Sequence, residues 1–132
     1  MKKEGFENLN VWQRSRELVN QVYLMTKDSK FYKDRILMDQ IRKSAISVLS
    51  NISEGYERGS NPDFVRFLYI SKASCGELRA QLFIAKDQGY VNEKEFEQSI
   101  DTSRRVSGIL GNLISYLKKH KGKFKVSEDD DN

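Results

Sequence analysis

The chain of 132 residues holds one Cys, one His, one Pro and one Trp, and each scarcity removes a class of chemistry. His120 stands alone near the C-terminus, so neither a catalytic triad nor a His-ligated metal centre can be assembled. A single Cys75 permits no internal disulfide. It falls on an expected core face and reads as a small buried hydrophobe of a reducing compartment. No stretch approaches the roughly 18 apolar residues of a membrane span, and the opening MKKEGFENLN lacks the apolar run of a signal peptide. The expected location is the cytoplasm, with no membrane partner. A Gly-rich phosphate loop is missing. So are strand-like alternation and any internal repeat. No catalytic residue, metal or cofactor is expected, and the chain reads as a non-enzyme.

What remains is helical periodicity and charge. The net charge is +4 and the pI about 9.1. A solvated helical surface accounts for this mildly basic balance; RNA or DNA as partner is the functional alternative. The size fits one domain. Its expected parts are a lead over 1–9, a four-helix bundle over 10–119 and a disordered charged tail over 120–132. The tail runs from a basic block into an acidic one. The basic block could touch nucleic acid, and pairing of the two blocks is the alternative.

The organising stretch is QIRKSAISVLSNISEGYERGS, residues 40–60. Leu37, Ile41, Ala45, Val48 and Ile52 recur every three or four residues and share one helical face. Beside them Ser47, Asn51, Glu54 and Arg58 fall within about 60° of one another, at 100° per residue. Small and amide groups at a core edge must find partners. This stripe, with Glu77 and Gln81 of the next helix, is an expected structural polar network. The alternative reading brings Glu54 and Glu77 together as paired carboxylates. The di-iron pattern of helical bundles needs Glu-x-x-His, which is absent. The segment is expected to break at Gly55, Gly59 and Pro62.

The other elements follow from caps and stripes. Asn8 or Asn10 caps a first helix to about Lys27, with Val11, Ser15, Leu18, Val22 and Met25 inward. Trp12 anchors the core with its N–H bonded to a neighbour, a binding role being the alternative. Lys27 to Asp34 reads as a loop whose Phe31 and Tyr32 fold back onto the bundle end. The second helix spans about Arg35 to Tyr56. The third, Pro62 to about Gln88, starts at a cap from Ser60 or Asn61 and stops at Gly89. Its Phe64, Leu68, Ser71, Cys75, Leu78, Leu82 and Ala85 form an unbroken heptad seam. The fourth starts at a capping box, Asn92 with Glu95. Its seam is Phe96, Ile100, Ser103, Ser107, Leu110, Ile114 and Leu117. Gly108 and Gly111, poor helix formers, suggest close approach of a neighbouring backbone, ordinary tolerance being the alternative. Short connections predict an antiparallel up-down-up-down bundle, all-α.

Two features are left over. Val65, Tyr69, Phe83 and Ile84 lie off the third seam, and Leu24, Ile109 and Tyr116 off theirs. Large apolar residues on outer faces mark an interface, so Val65, Tyr69, Phe83, Ile84, Ile109 and Tyr116 are the expected contacts of a homo-oligomer. The second feature is basic. Lys72, Arg79 and Lys86 repeat every seven residues along one edge of the third helix, and Arg42, Lys43, Arg58 and Arg66 cluster near the turn between the second and third helices. These seven are the candidate nucleic-acid contacts. The competing reading pairs them with Glu57, Asp63, Glu77 and Asp87. The functional alternative is a protein-interaction scaffold that uses the apolar residues and binds no nucleic acid.

The motifs themselves resemble a known family. FENLNVWQRSRELVNQVY is similar to the opening F-x-x-L-x-V-W-x-x-(A/S)-x-x-L-x-x-x-V-Y of the 23S rRNA intervening-sequence proteins, also labelled S23 ribosomal proteins. QIRKSAISVLSNISEGYERGS resembles their Q-(I/L)-R-R-A-A-x-S-(I/V)-x-x-N-I-(A/S)-E-G-x-x-R-x-S. FLYISKASCGELRAQLFIAKDQGYV matches F-L-x-x-A-x-x-S-x-x-E-(L/T)-x-x-Q-L-x-x-A-x-x-x-G-Y. Order and spacing hold over roughly residues 6–117. Departures are Leu49, where many members carry a kinking Pro, and Ser71, where Ala is usual. The resemblance implies a four-helix bundle assembling as a homopentamer. The fold is also similar to the accessory variability determinant of diversity-generating retroelements, a basic pentameric bundle that binds a reverse transcriptase and nucleic acid. That likeness implies an accessory subunit of a nucleoprotein machine. The matched positions Arg42, Ser47, Asn51, Glu54, Gly55, Arg58, Glu77 and Gln81 carry no established catalytic role in the family.

Overall fold

Helix caps set the boundaries. In the structure, a computed structural model that describes residues 5–120, α1 spans Asn10–Thr26, α2 Ser29–Lys33, α3 Arg35–Glu57, α4 Asn61–Asp87 and α5 Glu93–Lys119. Asp34 caps α3 by accepting from the Leu37 amide, and Ser60 caps α4 by accepting from the Asp63 amide. At α5 both halves of the Asn92–Glu95 capping box form. Gly59 and Gly89 take positive φ at 86° and 76°, the conformation that lets α3 and α4 end in short turns. No strand occurs among the described residues.

Four expectations need correction. Leu9, not Asn8 or Asn10, occupies the α1 cap position. It is fully buried below a 3-10 turn, Phe6–Asn8, so part of the lead over 1–9 is packed structure. The supposed loop Lys27–Asp34 contains α2. Asp28 accepts from the Lys30 amide, and Phe31 is driven fully inside, its ring 5.3 Å from that of Tyr90 and tilted 39° to it. Tyr32 stays outside. Gly55 does not break α3, which continues to Glu57 because a helix tolerates Gly where a neighbour needs its missing Cβ. At α5, Val106 takes the inward place expected of Ser107, which is half-buried. The tail beyond His120 lies outside the described residues.

The four long helices share one core. It contains Leu18, Val22, Ile41, Val48, Ile52, Leu68, Leu78, Leu82, Val106 and Leu110, all at zero exposure. Each such side chain contributes about 1.5–3 kcal/mol of transfer free energy. Helix α1 packs on α3 and α5, and α4 packs on α3 and α5. Cross-helix contacts run in opposite numerical order. Ser44 meets Glu77, Ser47 meets Ser74, and Ser71 donates to the Val48 carbonyl. Between α1 and α3, the Trp12 indole N–H donates to Ser53 at 2.8 Å while Arg42 reaches Thr26. The far end is tied too: the Asn61 amide donates to the His120 carbonyl at 2.9 Å, joining the start of α4 to the end of α5.

Candidate nucleic-acid interface

What holds each cation decides what field it presents. Arg42 is not free: its Nε donates to Thr26 at 2.8 Å and its guanidinium lies 4.5 Å over the Tyr23 ring. Arg58 pairs with Glu54 at 3.0 Å and Arg66 with Asp63 at 3.1 Å. Both guanidiniums also cover the Phe67 ring, at 4.9 and 5.0 Å. Lys86 sits 3.4 Å from the Glu93 carboxylate and 4.4 Å from the Phe96 ring. Such exposed pairs add little stability, but each cancels a charge that nucleic acid would otherwise meet. Of the expected acidic partners, only Asp63 pairs with one of the seven. Lys43 and Lys72 are exposed and have no carboxylate within ion-pair distance among the described residues.

Arg79 occupies a different setting. Its Nη1 reaches the Ser103 carbonyl and hydroxyl at 3.5 Å each, and the Cys75 sulfur at 3.7 Å. These are long contacts at the limit of hydrogen bonding. They swing the guanidinium from α4 toward α5, into an open groove of about 360 Å³ lined by Lys72, Arg79, Arg104, Ser107, Gly108 and Gly111. Among the described residues no acidic side chain lines it. A larger groove, about 620 Å³, runs along α1 beside Gln98, but its Arg14 is paired with Glu17. Arg104 escaped sequence reasoning because it lies off the α4 repeat; the available signal was its placement one residue past the inward-facing Ser103. A Cβ at Gly108 would meet nothing within 4 Å, and at Gly111 only the Lys72 Cε at 3.8 Å. The expected backbone approach at these glycines is therefore not made among the described residues.

Beneath Arg79 the Cys75 thiol is fully buried and donates to the Ser103 carbonyl at 3.1 Å. Burial pushes its pKa up, and the Arg79 guanidinium opposes this only in part. The folded thiol therefore stays protonated where an unfolded one ionises. By linkage, its contribution to stability is complete below the ordinary thiol range and declines as pH rises beyond it. Native protein should react with iodoacetamide at least about a thousandfold more slowly than unfolded protein; equal rates in the two states would show that Cys75 is accessible.

The polar stripe is only partly joined. Asn51 donates to the Ser47 carbonyl and hydroxyl, and Ser47 meets Ser74 across the helices. Glu54 turns out to Arg58, whereas Glu77 accepts from Ser44 at 3.0 Å. Glu77 thus reaches α3 at Ser44, ten residues before Glu54 and about 15 Å away along a helix, so the two carboxylates form no pair. Gln81 is buried with its Oε1 lacking a hydrogen-bond partner among the described residues. Those residues hold no cluster of three or more His, Cys, Asp or Glu that could bind a metal.

Outside the core, the apolar positions divide. Val65 and Ile109 pack partly buried against the core. Tyr69, Phe83 and Ile84 are each about half exposed, at 48, 48 and 47%. Tyr116 stacks on His120 at 4.0 Å. Sequence reading passed over Ile36, Ile46 and Ile70, all exposed. Ile70 directly follows Tyr69 on the outer face of α4 and could have been found by extending that stripe one position.

With this geometry in place, relatives can be compared. The family model for the 23S rRNA-intervening sequence protein matches residues 7–112. The chain belongs to that family. A crystal structure from Bacteroides thetaiotaomicron, of a protein with unknown function from the S23 ribosomal protein family, superposes with a TM-score of 0.72. It is 22% identical, with 79% of this chain and 97% of that one covered. At that identity the likeness shows the shared helical fold alone. The comparison with curated proteins returned no match. No helix of this family member, among the described residues, is long and apolar enough to cross a membrane.

Proposed function

We propose that this family member is a non-enzymatic, self-assembling up-down-up-down four-helix bundle of the cytoplasm that binds RNA or DNA. It would serve as an accessory subunit of a nucleoprotein machine such as a reverse transcriptase complex. The observation that carries the reading is the edge of α4 facing α5, where Lys72 and Arg79 have no carboxylate partner among the described residues. Assembly into a ring, a pentamer by family likeness, would repeat that edge and concentrate its field. The test is binding of the full chain to a single-stranded RNA, a single-stranded DNA and a duplex at low and near-physiological salt. Affinity tighter than about micromolar at physiological salt supports the reading. No binding at low salt removes it.

A second reading has its own observation. Tyr69, Ile70, Phe83 and Ile84 give α4 an exposed apolar face opposite its core seam, which fits a scaffold that docks a protein. Tyr69→Arg with Phe83→Arg separates the two. Loss of assembly or partner capture with nucleic-acid affinity intact favours the scaffold.

A further inference from the structure

We infer that the groove between α4 and α5 is a phosphate-binding site, with Arg104 as its third cation and Gly108 as the space into which the ligand fits. The inference rests on the nucleic-acid reading above and assigns the contact that reading leaves open.

Three features of the groove converge. Its charged lining is Lys72, Arg79 and Arg104, all positive. Neither Lys72 nor Arg104 has an ion-pair partner among the described residues, whereas neighbouring Arg105 is neutralised by Asp101 at 3.2 Å. Among the described residues Arg79 donates hydrogen bonds through Nη1 only, so the rest of its donor fork is available to a tetrahedral oxyanion. The walls therefore select for negative charge, and an apolar helix of a second copy would strand three cations against itself.

The glycines supply the room. Gly is among the poorest formers of a helix interior, yet α5 carries Gly108 in open space and Gly111 with one loose neighbour. The fold of the chain does not demand either. Their missing side chains leave the groove open beside Arg104, on the flank of α5 where a backbone phosphate could approach closely. The Ser107 hydroxyl adds a neutral donor at the same place. Such a site reads charge and shape, with no base-specific contact, so the fitting ligand is the phosphodiester backbone of a nucleic acid. A free polyphosphate has the same chemistry.

The experiment uses the full chain with Arg104→Gln, Gly108→Leu and a control, Lys94→Gln on the first turn of α5. Each is titrated with a single-stranded RNA and, separately, with tripolyphosphate; circular dichroism, melting temperature and solution mass are recorded. Arg104→Gln and Gly108→Leu should each weaken RNA binding about tenfold and lower the log–log salt slope by about 1. Fold and mass should stay unchanged, and Lys94→Gln should stay near wild type. Wild-type RNA affinity in both variants overturns the site while leaving the nucleic-acid reading intact. If the wild type binds no RNA, that reading fails. The groove then stands only if tripolyphosphate binds and both variants lose it. A changed mass in Gly108→Leu, with phosphate binding retained, assigns the groove to a second copy and overturns the inference.

Discussion

Gly55→Leu should destabilise the bundle by about 3 kcal/mol or more, through overpacking where α3 meets α4. A Cβ at Gly55 would sit 2.7 Å from the Phe67 Cβ, 3.0 Å from the Phe64 Cδ1 and 3.4 Å from the Phe64 carbonyl oxygen. The first contact is with an atom next to the backbone, which cannot rotate away, so α3 and α4 must separate. Gly55→Ala meets the same contact. It should still cost stability, although Ala favours a helix by about 1 kcal/mol over Gly. Gly108→Ala, in open space, should reverse the sign and stabilise by about 0.5–1 kcal/mol. The pair is checked by urea unfolding. Equal shifts at both positions would mean that α3 and α4 are not in close contact at Gly55. The consequence reaches the surface, because Phe67 also carries the Arg58 and Arg66 guanidiniums.

Charge reversal should discriminate among cations that look equivalent in sequence. Lys72→Glu with Arg79→Glu should lower nucleic-acid affinity by about a hundredfold at moderate salt, because each removed phosphate contact also removes a released counterion. Lys86→Glu, and Arg66→Glu by the same argument, should have smaller effects. Their charges are already offset by Glu93 and Asp63. The check is filter or fluorescence binding beside a thermal melt of each variant. A larger loss from Arg66→Glu than from the Lys72 and Arg79 pair would move the interface to the α3–α4 corner. Arg42→Glu is unsuitable as a binding probe. It removes the tie to Thr26 and Tyr23, so its loss of binding could follow from loss of fold.

These distinctions mark where sequence reasoning ran out. The α4 seam was legible because large apolar residues recur at heptad spacing and all of them turn inward. The capping box at Asn92 and the stop at Gly89 were legible because each is a local pattern of backbone chemistry. Gly55 was misread because glycine has two opposite uses, ending a helix or letting a neighbour approach, and only the position of Phe67 decides between them. The five-residue α2 was missed because a single buried Phe31 shows no periodicity. The basic stripe was visible as a repeat of seven. Which of its members keeps an open charge depends on tertiary partners such as Ser103 and Glu93. Arg104 and Gly108 belong to the same groove as Lys72, yet lie more than 30 residues away in the chain.

Phosphate binding at the α4–α5 edge is tested by the salt dependence of RNA affinity, measured for the wild-type chain and for the Lys72→Glu, Arg79→Glu variant over the same salt series. The expected result is a steep log–log slope for the wild type, and a variant slope shallower by about 2, with both proteins equally folded. Identical slopes and affinities in the two proteins would contradict it.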